Sequence, residues 1–194
     1  MISLSMHEEK REYSYADYLS WTEDFCCEAI DGHIIAMSPS PTPKHQDVVA
    51  ELTAEFKMFL RGKECMAFSA PIDVCLFASK ETKHDDIKDW VQPDLLVVCD
   101  PNKIGEKYIT GAPDLTVEVL SPSTTKNDRQ IKFKSYEKAG VKEYWIVDPH
   151  HMSVEVYELD GDAYIQKGIF VREDQLKVGL FEGFEIDLKN VFKE

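Results

Sequence analysis

Several things are missing from this sequence, and each absence narrows its reading. No stretch approaches the roughly 20 consecutive apolar residues of a membrane-spanning helix. The opening residues, MISLSMHEEKREYSY, lack the apolar centre of a secretory leader. The chain is therefore expected to be soluble and cytoplasmic. Positive charge is scarce, with 22 Lys and Arg against 36 Asp and Glu and a net charge of −14. That balance argues against a general nucleic-acid coat protein, which neutralises phosphate with clustered cations. No two cysteines form a C-x-x-C pair, and the five present (Cys26, Cys27, Cys65, Cys75, Cys99) are odd in number. A cysteine-ligated zinc site is not expected at these spacings. Cys75 and Cys99 fall in apolar runs, where small buried thiols are common, and all five are expected to be reduced. No repeat, low-complexity block or linker divides the 194 residues, so one domain is expected over 1–194, with a core over about 24–150.

What is present is enough apolar and aromatic material for a sizeable core: 43% hydrophobic residues, among them 10 Phe, 8 Tyr and 3 Trp. Tyr15 to Leu19 reads as a short helix. Cys26–Ile30 and His33–Met37 flank Asp31-Gly32, a two-residue hairpin signal. Ser38 to Pro43 is a proline-rich loop. Val48, Val49, Leu52, Phe56, Phe59 and Leu60 recur at helical spacing and predict a helix from Lys44 to Arg61, stopped at Gly62. Met66–Ala70, Ile72–Phe77, Val91–Cys99 and Leu115–Leu120 read as strands. A helix is expected over Asn127–Ala139, capped by Asn127 and ended by Gly140. Glu143–Asp148 is a strong strand, a second hairpin turns at Asp160-Gly161-Asp162, and one or two strands close the chain. This order predicts an α/β (α+β) fold with a mixed central sheet flanked by helices.

Two carboxylates stand where carboxylates are expensive. Asp94 precedes Leu-Leu-Val-Val, and Glu118 lies between two valines in LTVEVL. Side chains alternate along a strand, so Glu118 shares a face with Thr116 and Leu120. A buried acid needs a cation or a hydrogen-bond network. On the following helix Asp128, Lys132 and Tyr136 fall on one face, which makes Lys132 a candidate to meet the acids. Six basic residues (Lys126, Arg129, Lys132, Lys134, Lys138, Lys142) against two acids (Asp128, Glu137) make the segment from Ser121 to Lys142 locally basic. Such a run is usually a solvated helix face. Two carboxylates are hard oxygen donors that suit Mg²⁺ or Mn²⁺, and a lysine nearby can orient a water or stabilise a phosphate in transition. The bland alternative is strand-entry turns and a buried ion pair.

The stretch from Glu28 to Asp148 resembles the Uma-type family of restriction endonucleases, a branch of the PD-(D/E)XK nuclease superfamily. The matching pieces are Glu28-Ala-Ile-Asp-Gly-His, Ser38-Pro-Ser-Pro-Thr-Pro-Lys-His45, Pro71-Ile-Asp-Val and Gln92-Pro-Asp94-Leu. They continue with Gly111-Ala-Pro-Asp-Leu-Thr-Val-Glu118-Val-Leu-Ser-Pro-Ser-Thr, Asp128-Arg, Lys132, Tyr136 and Ala139-Gly-Val-Lys-Glu-Tyr-Trp-Ile-Val-Asp-Pro. The resemblance implies a restriction-endonuclease-like core with additional N-terminal and C-terminal hairpins. It implies a metal-dependent DNA endonuclease with Asp94, Glu118 and Lys132 as catalytic residues and Asp94, Glu118 and Glu28 at the Mg²⁺ (or Mn²⁺). His45, Asp114, Ser121, Lys134 and Tyr136 are candidates for supporting or phosphate contacts. The superfamily usually carries its lysine two residues after the second acid; that position is Leu120 here, so Lys132 would have to reach back from the helix, with Lys134 as the substitute. A DNA partner, no membrane and a homodimer are expected, since cutting a duplex takes two cuts. The rival reading is a non-catalytic nucleic-acid or protein interaction module on the nuclease fold, motivated by the acidic charge and by Leu120. A glycosidase would also use two acids, but a lysine-lined site argues against one.

Overall fold

The computed structural model describes residues 12–21, 26–36, 41–122 and 124–193. Pro43, at the end of the proline-rich loop expected from Ser38, already belongs to a helix, while residues 38–40 of that loop and residues 1–11 of the opening segment lie outside the described residues. Its first element is the short helix α1 (Tyr15–Ser20), closed at its start by a capping box between Ser14 and Asp17. The hairpin β1 (Cys27–Ile30) and β2 (His33–Ala36) turns at Asp31 (φ 50) and Gly32 (φ 73), both in the left-handed region that such tight turns require. Helix α2 (Pro43–Leu60) follows, with Pro43 in its first turn and the Thr42 hydroxyl accepting the His45 N–H.

The core is a six-stranded mixed sheet. Its members are β3 (Met66–Ser69), β5 (Leu95–Val98), β7 (Leu115–Val119), β8 (Glu143–Asp148), β9 (Ser153–Asp160) and β10 (Ala163–Val171). The strand order is β10-β9-β8-β7-β5-β3. Within this sheet, among the described residues, β7 and β8 are the parallel pair, with Glu118 opposite Ile146. A parallel pair needs a crossover, and the helical segment before α3 (Phe133–Ala139), together with α3, supplies it. The short strands β4 (Asp73–Cys75) and β6 (Tyr108–Thr110) pair with each other beside the sheet, and β11 (Gln175–Lys177) pairs with β12 (Glu185–Asp187). A last short helix, α4 (Leu188–Val191), ends the described chain.

The alternation of β7 sorts its side chains. Leu115, Val117 and Val119 pack with Leu52 and Phe56 of α2, while Leu120 joins Tyr136, Tyr144 and Ile146 on the other face. Each apolar side chain so buried contributes about 1.5–3 kcal/mol. Glu118 takes the polar place on the second face, under the crossover helix. Among the described residues, no helix is long and apolar enough to cross a membrane.

The structure corrects several expectations. Cys65 and Cys99 form a disulfide, so five reduced thiols is wrong; Cys26, Cys27 and Cys75 are free. The cause is register: Met66 pairs with Val98, which puts the two flanking cysteines opposite each other. Asp94 sits in a bend just before β5 rather than inside a strand. Asn127 is not a cap, because helical backbone begins at residue 125. Hydroxyls of the Ser/Thr run start that helix: Thr125 Oγ1 donates to the Ser121 carbonyl at 2.7 Å, and Ser121 Oγ and Thr124 Oγ1 lie 3.0 Å apart. From Asn127 to Lys132 the helix is a π-helix, before it tightens to α3 and ends at Gly140 (φ 87). The C-terminal hairpin is not an appendage, since β9 and β10 extend the central sheet.

Candidate active site

At the C-terminal end of β7 the expected acids and lysine come together. Lys132 Nζ is 3.0 Å from Glu118 Oε1, 2.7 Å from Glu28 Oε1 and 3.8 Å from Asp128 Oδ1. All four residues are buried. The wide π-turn directs Asp128 and Lys132, one turn apart, toward the sheet. Tyr136, on the first turn of α3, donates its hydroxyl to Glu118 Oε1 at 2.6 Å. Glu28 reaches the lysine from β1, and its Oε1 also accepts the Gln92 N–H at 2.8 Å. This couples the N-terminal hairpin to the segment that carries Asp94.

Asp94 stands at the edge of the cluster. Its Oδ2 accepts the Val119 N–H at 2.8 Å, so it is clamped to the residue next to Glu118. It is the acid that faces solvent, with 21% of its side chain exposed. His45 arrives from the other side of the sheet, in the first turn of α2. Its Nε2 lies 2.9 Å from the Val119 carbonyl and 3.4 Å from Asp94 Oδ2. A carbonyl only accepts, so Nε2 carries the proton. His45 Nδ1 is buried without a hydrogen-bond partner among the described residues.

The electrostatics follow from this crowding. Burial pushes the Glu118 carboxyl well up; Lys132 opposes that, and Asp128, Asp94 and Glu28 add to it. Asp128 is raised to about 6, mainly by burial. Burial works against the Lys132 ammonium, but Glu118, Glu28 and Asp128 outweigh it and hold its pKa well above the ordinary lysine value. His45 behaves alike: burial lowers its pKa, Asp94 and the Val119 carbonyl outweigh burial, and the net shift is upward. The lysine is thus a fixed cation among carboxylates that cannot all ionise beside it.

Other expected residues lie apart. Asp114 closes a strand-entry turn: one oxygen accepts the Cys99 N–H at 2.7 Å and the other meets Lys142 Nζ at 2.7 Å. Lys134 is exposed on the outer side of the helix and lines a surface groove with Ile131 and Phe77. Ser121 is part of the turn that starts the helix. Asp128 is the member sequence reasoning gave no role, although its spacing from Lys132 and Tyr136 placed it on the same face. Among the described residues, no three His, Cys, Asp or Glu side chains form a ready metal cage.

Comparison with known proteins gives relatives of matching extent. An uncharacterized protein of Synechocystis is 27% identical over 166 residues, covering 84% of this chain and 83% of that protein. A crystal structure described as a "putative nuclease belonging to DUF820" from Anabaena variabilis superposes with a TM-score of 0.70 at 21% identity. It covers 92% of this chain and 97% of the other, so the two share a fold. The family model described as "Uma2: Putative restriction endonuclease" matches residues 15–189, nearly the whole chain, and the protein belongs to that family.

Proposed function

We propose that the chain is a metal-dependent DNA endonuclease of one domain, hydrolysing phosphodiester bonds at the Asp94–Glu118–Lys132 cluster. The observation that carries this reading is the convergence of Lys132 on Glu118 beside Asp94, from a helix, a strand and a bend that are separate in sequence. Membership of an endonuclease family supports it.

The residues fit Mg²⁺ or Mn²⁺. Asp94 and Glu118 are hard oxygen donors joined through the Val119 peptide, and the Val119 carbonyl is a third oxygen at the same place. Glu28, Asp94, Glu118 and Asp128 bring more negative charge than Lys132 offsets, which favours a divalent cation. Asp94 and Glu118 would hold the ion; Glu28 Oε1 is engaged with Lys132 and the Gln92 amide. When bound, such an ion lowers the pKa of a water and offsets charge on a scissile phosphate. Tyr136 orients Glu118 through its hydroxyl. Lys132 keeps its proton at neutral pH, so it serves as a hydrogen-bond donor and fixed charge toward a phosphate rather than as a base. His45 holds the Val119 carbonyl and stands against Asp94, which fixes the exposed acid. A symmetric dimer would supply the second cut in a duplex.

The rival reading, an interaction module on a decayed site, is disfavoured because both acids and the lysine are retained, with Lys132 on Glu118 and Asp94 bonded to the neighbouring Val119 amide. The test is cleavage of supercoiled plasmid and of short single-stranded DNA in Mg²⁺, Mn²⁺ or EDTA. Metal-dependent cutting by the wild type that is lost in Asp94→Ala and in Glu118→Ala is expected. Cutting that survives both substitutions would overturn the assignment.

A further inference from the structure

Asp128 is the unexplained member of the cluster. It is 1% exposed, as deeply buried as any charged group among the described residues. Its backbone carbonyl accepts the Tyr144 hydroxyl at 3.0 Å, which pins the residue. Thr124 lies beside it, its carbonyl accepting the Asp128 N–H at 3.0 Å. Yet Asp128 Oδ1 has no hydrogen-bond partner among the described residues. The nearest cation, Lys132 Nζ, is 3.8 Å away, beyond hydrogen-bond reach. A buried carboxylate oxygen left without a donor is costly, so an acceptor held in this way calls for a state in which it is used.

The geometry supplies that state. An ammonium has three N–H donors. Glu28 holds Nζ at 2.7 Å and is itself fixed by the Gln92 amide. Glu118 Oε1 accepts from Nζ at 3.0 Å with an oxygen that also takes the Tyr136 hydroxyl. If Glu118 turns toward a cation beside Asp94, one lysine contact is lost inside a buried cluster. Asp128 Oδ1 lies about 1 Å beyond hydrogen-bond distance, within the swing of a lysine anchored at Glu28.

We propose that Asp128 is the positioning residue for Lys132: as Glu118 turns to a divalent cation, the ammonium passes from Glu118 Oε1 to Asp128 Oδ1 and stays in the site. This rests on the metal-dependent reading above. The exchange is short because Asp128 and Lys132 lie four residues apart on one face of the helical segment. Glu28 is the pivot, and the lysine keeps two carboxylate partners in both states.

The test is the crystal structure of the full chain grown with Mn²⁺, the ion located by its anomalous signal, together with Mn²⁺ titration calorimetry on wild type and Asp128→Asn. The asparagine keeps the shape and the Thr124 contact, and the wild-type crystal does not depend on it. With Mn²⁺ present, Lys132 Nζ is expected at about 2.7–2.9 Å from Asp128 Oδ1 and beyond about 3.5 Å from Glu118 Oε1. Mn²⁺ affinity in Asp128→Asn is expected to fall about tenfold, a factor typical for a residue behind a metal ligand. Three results overturn the proposal but leave metal binding standing: Lys132 still on Glu118 Oε1 beside bound Mn²⁺, Mn²⁺ bonded to Asp128 itself, or unchanged affinity in Asp128→Asn. No anomalous peak and no heat from the wild type at millimolar Mn²⁺ would overturn both this exchange and the metal-dependent reading.

Discussion

Lys132 Nζ and Glu118 Oε1 lie 3.0 Å apart, both buried, although they sit on a helix and a strand 14 residues apart in sequence. The pair joins the crossover helix to the centre of the sheet, and it is flanked by two further acids, Glu28 and Asp128. The lysine therefore has a structural consequence separate from any chemistry. Replacing it by Met leaves three buried carboxylates without their cation.

Removal of one partner from a buried ion cluster typically costs about 3–5 kcal/mol, and Lys132→Met is expected to lose about that at pH 8. Its own titration adds no pH dependence near neutrality. A lysine pKa raised in the fold contributes stability that is complete below the unfolded value and lost only as pH rises through the folded one. The deficit should still narrow toward pH 5, because the stranded carboxylates take up protons. Urea unfolding of both proteins at pH 8 and pH 5 measures this. A deficit that stays the same at both would mean that the acids are compensated by something else.

Asp128 should show the opposite sign. Its pKa is raised from 3.8 to about 6, chiefly by burial. Below pH 3.8 the group is protonated folded and unfolded, and it costs nothing. Between 3.8 and 6 the unfolded chain ionises while the folded one resists, so stability falls as pH rises and stays reduced above 6. At about 1.4 kcal/mol per pKa unit, Asp128→Asn is expected to be on the order of 2–3 kcal/mol more stable than wild type at pH 8 and nearly equal at pH 4. Urea midpoints for the two proteins across this range give the answer. A variant less stable than wild type at pH 8 would show that the Lys132 attraction outweighs burial.

Much of this arrangement was legible in the sequence. Period-2 and period-3.6 patterning and two Asp-Gly turns located both hairpins, α2 and β7–β8. The spacing of Asp128, Lys132 and Tyr136 placed them on one face, and family resemblance singled out Asp94 and Glu118. What escaped depends on tertiary register. Cys65 and Cys99 meet only because β3 and β5 pair Met66 with Val98. The π-helix shares the apolar spacing of an α-helix, so periodicity does not reveal it. Family resemblance also marks Glu28 as an acid for the metal, but its pairing with Lys132 emerges only once β1 is docked. His45 opens α2 as expected, but its hydrogen bond to Val119 crosses 74 residues of sequence.

The disulfide predicts a redox-dependent stability. It closes a loop of sequence separation 34 between neighbouring strands. Chain-entropy arguments assign such a cross-link about 3–4 kcal/mol, with a wide range. Thermal unfolding with and without dithiothreitol should show a lower midpoint in reductant for wild type. The Cys65→Ser/Cys99→Ser double variant should match reduced wild type and ignore the reductant. A wild-type midpoint indifferent to reductant would mean the bridge does not hold β3 to β5 in solution.

Tyr136→Phe isolates a single hydrogen bond. It removes only the hydroxyl that donates to Glu118 Oε1 at 2.6 Å and leaves the buried ring in place. Glu118 keeps Lys132, so the cluster retains its cation, but the shared oxygen loses one of two donors. A buried acceptor deprived of a donor costs about 1–3 kcal/mol. The loss of a donor also makes the ionised form harder to hold, so the Glu118 pKa, already raised by burial, should rise further. Two consequences separate orientation from bulk stability. Urea unfolding should show the loss near neutrality, shrinking at low pH where Glu118 is protonated. The pH profile of metal-dependent DNA cleavage should move its acid limb to higher pH, with the rate at neutral pH about tenfold lower. Loss of stability without any move of the acid limb would assign Tyr136 to packing alone, and Glu118 would then owe its orientation to Lys132.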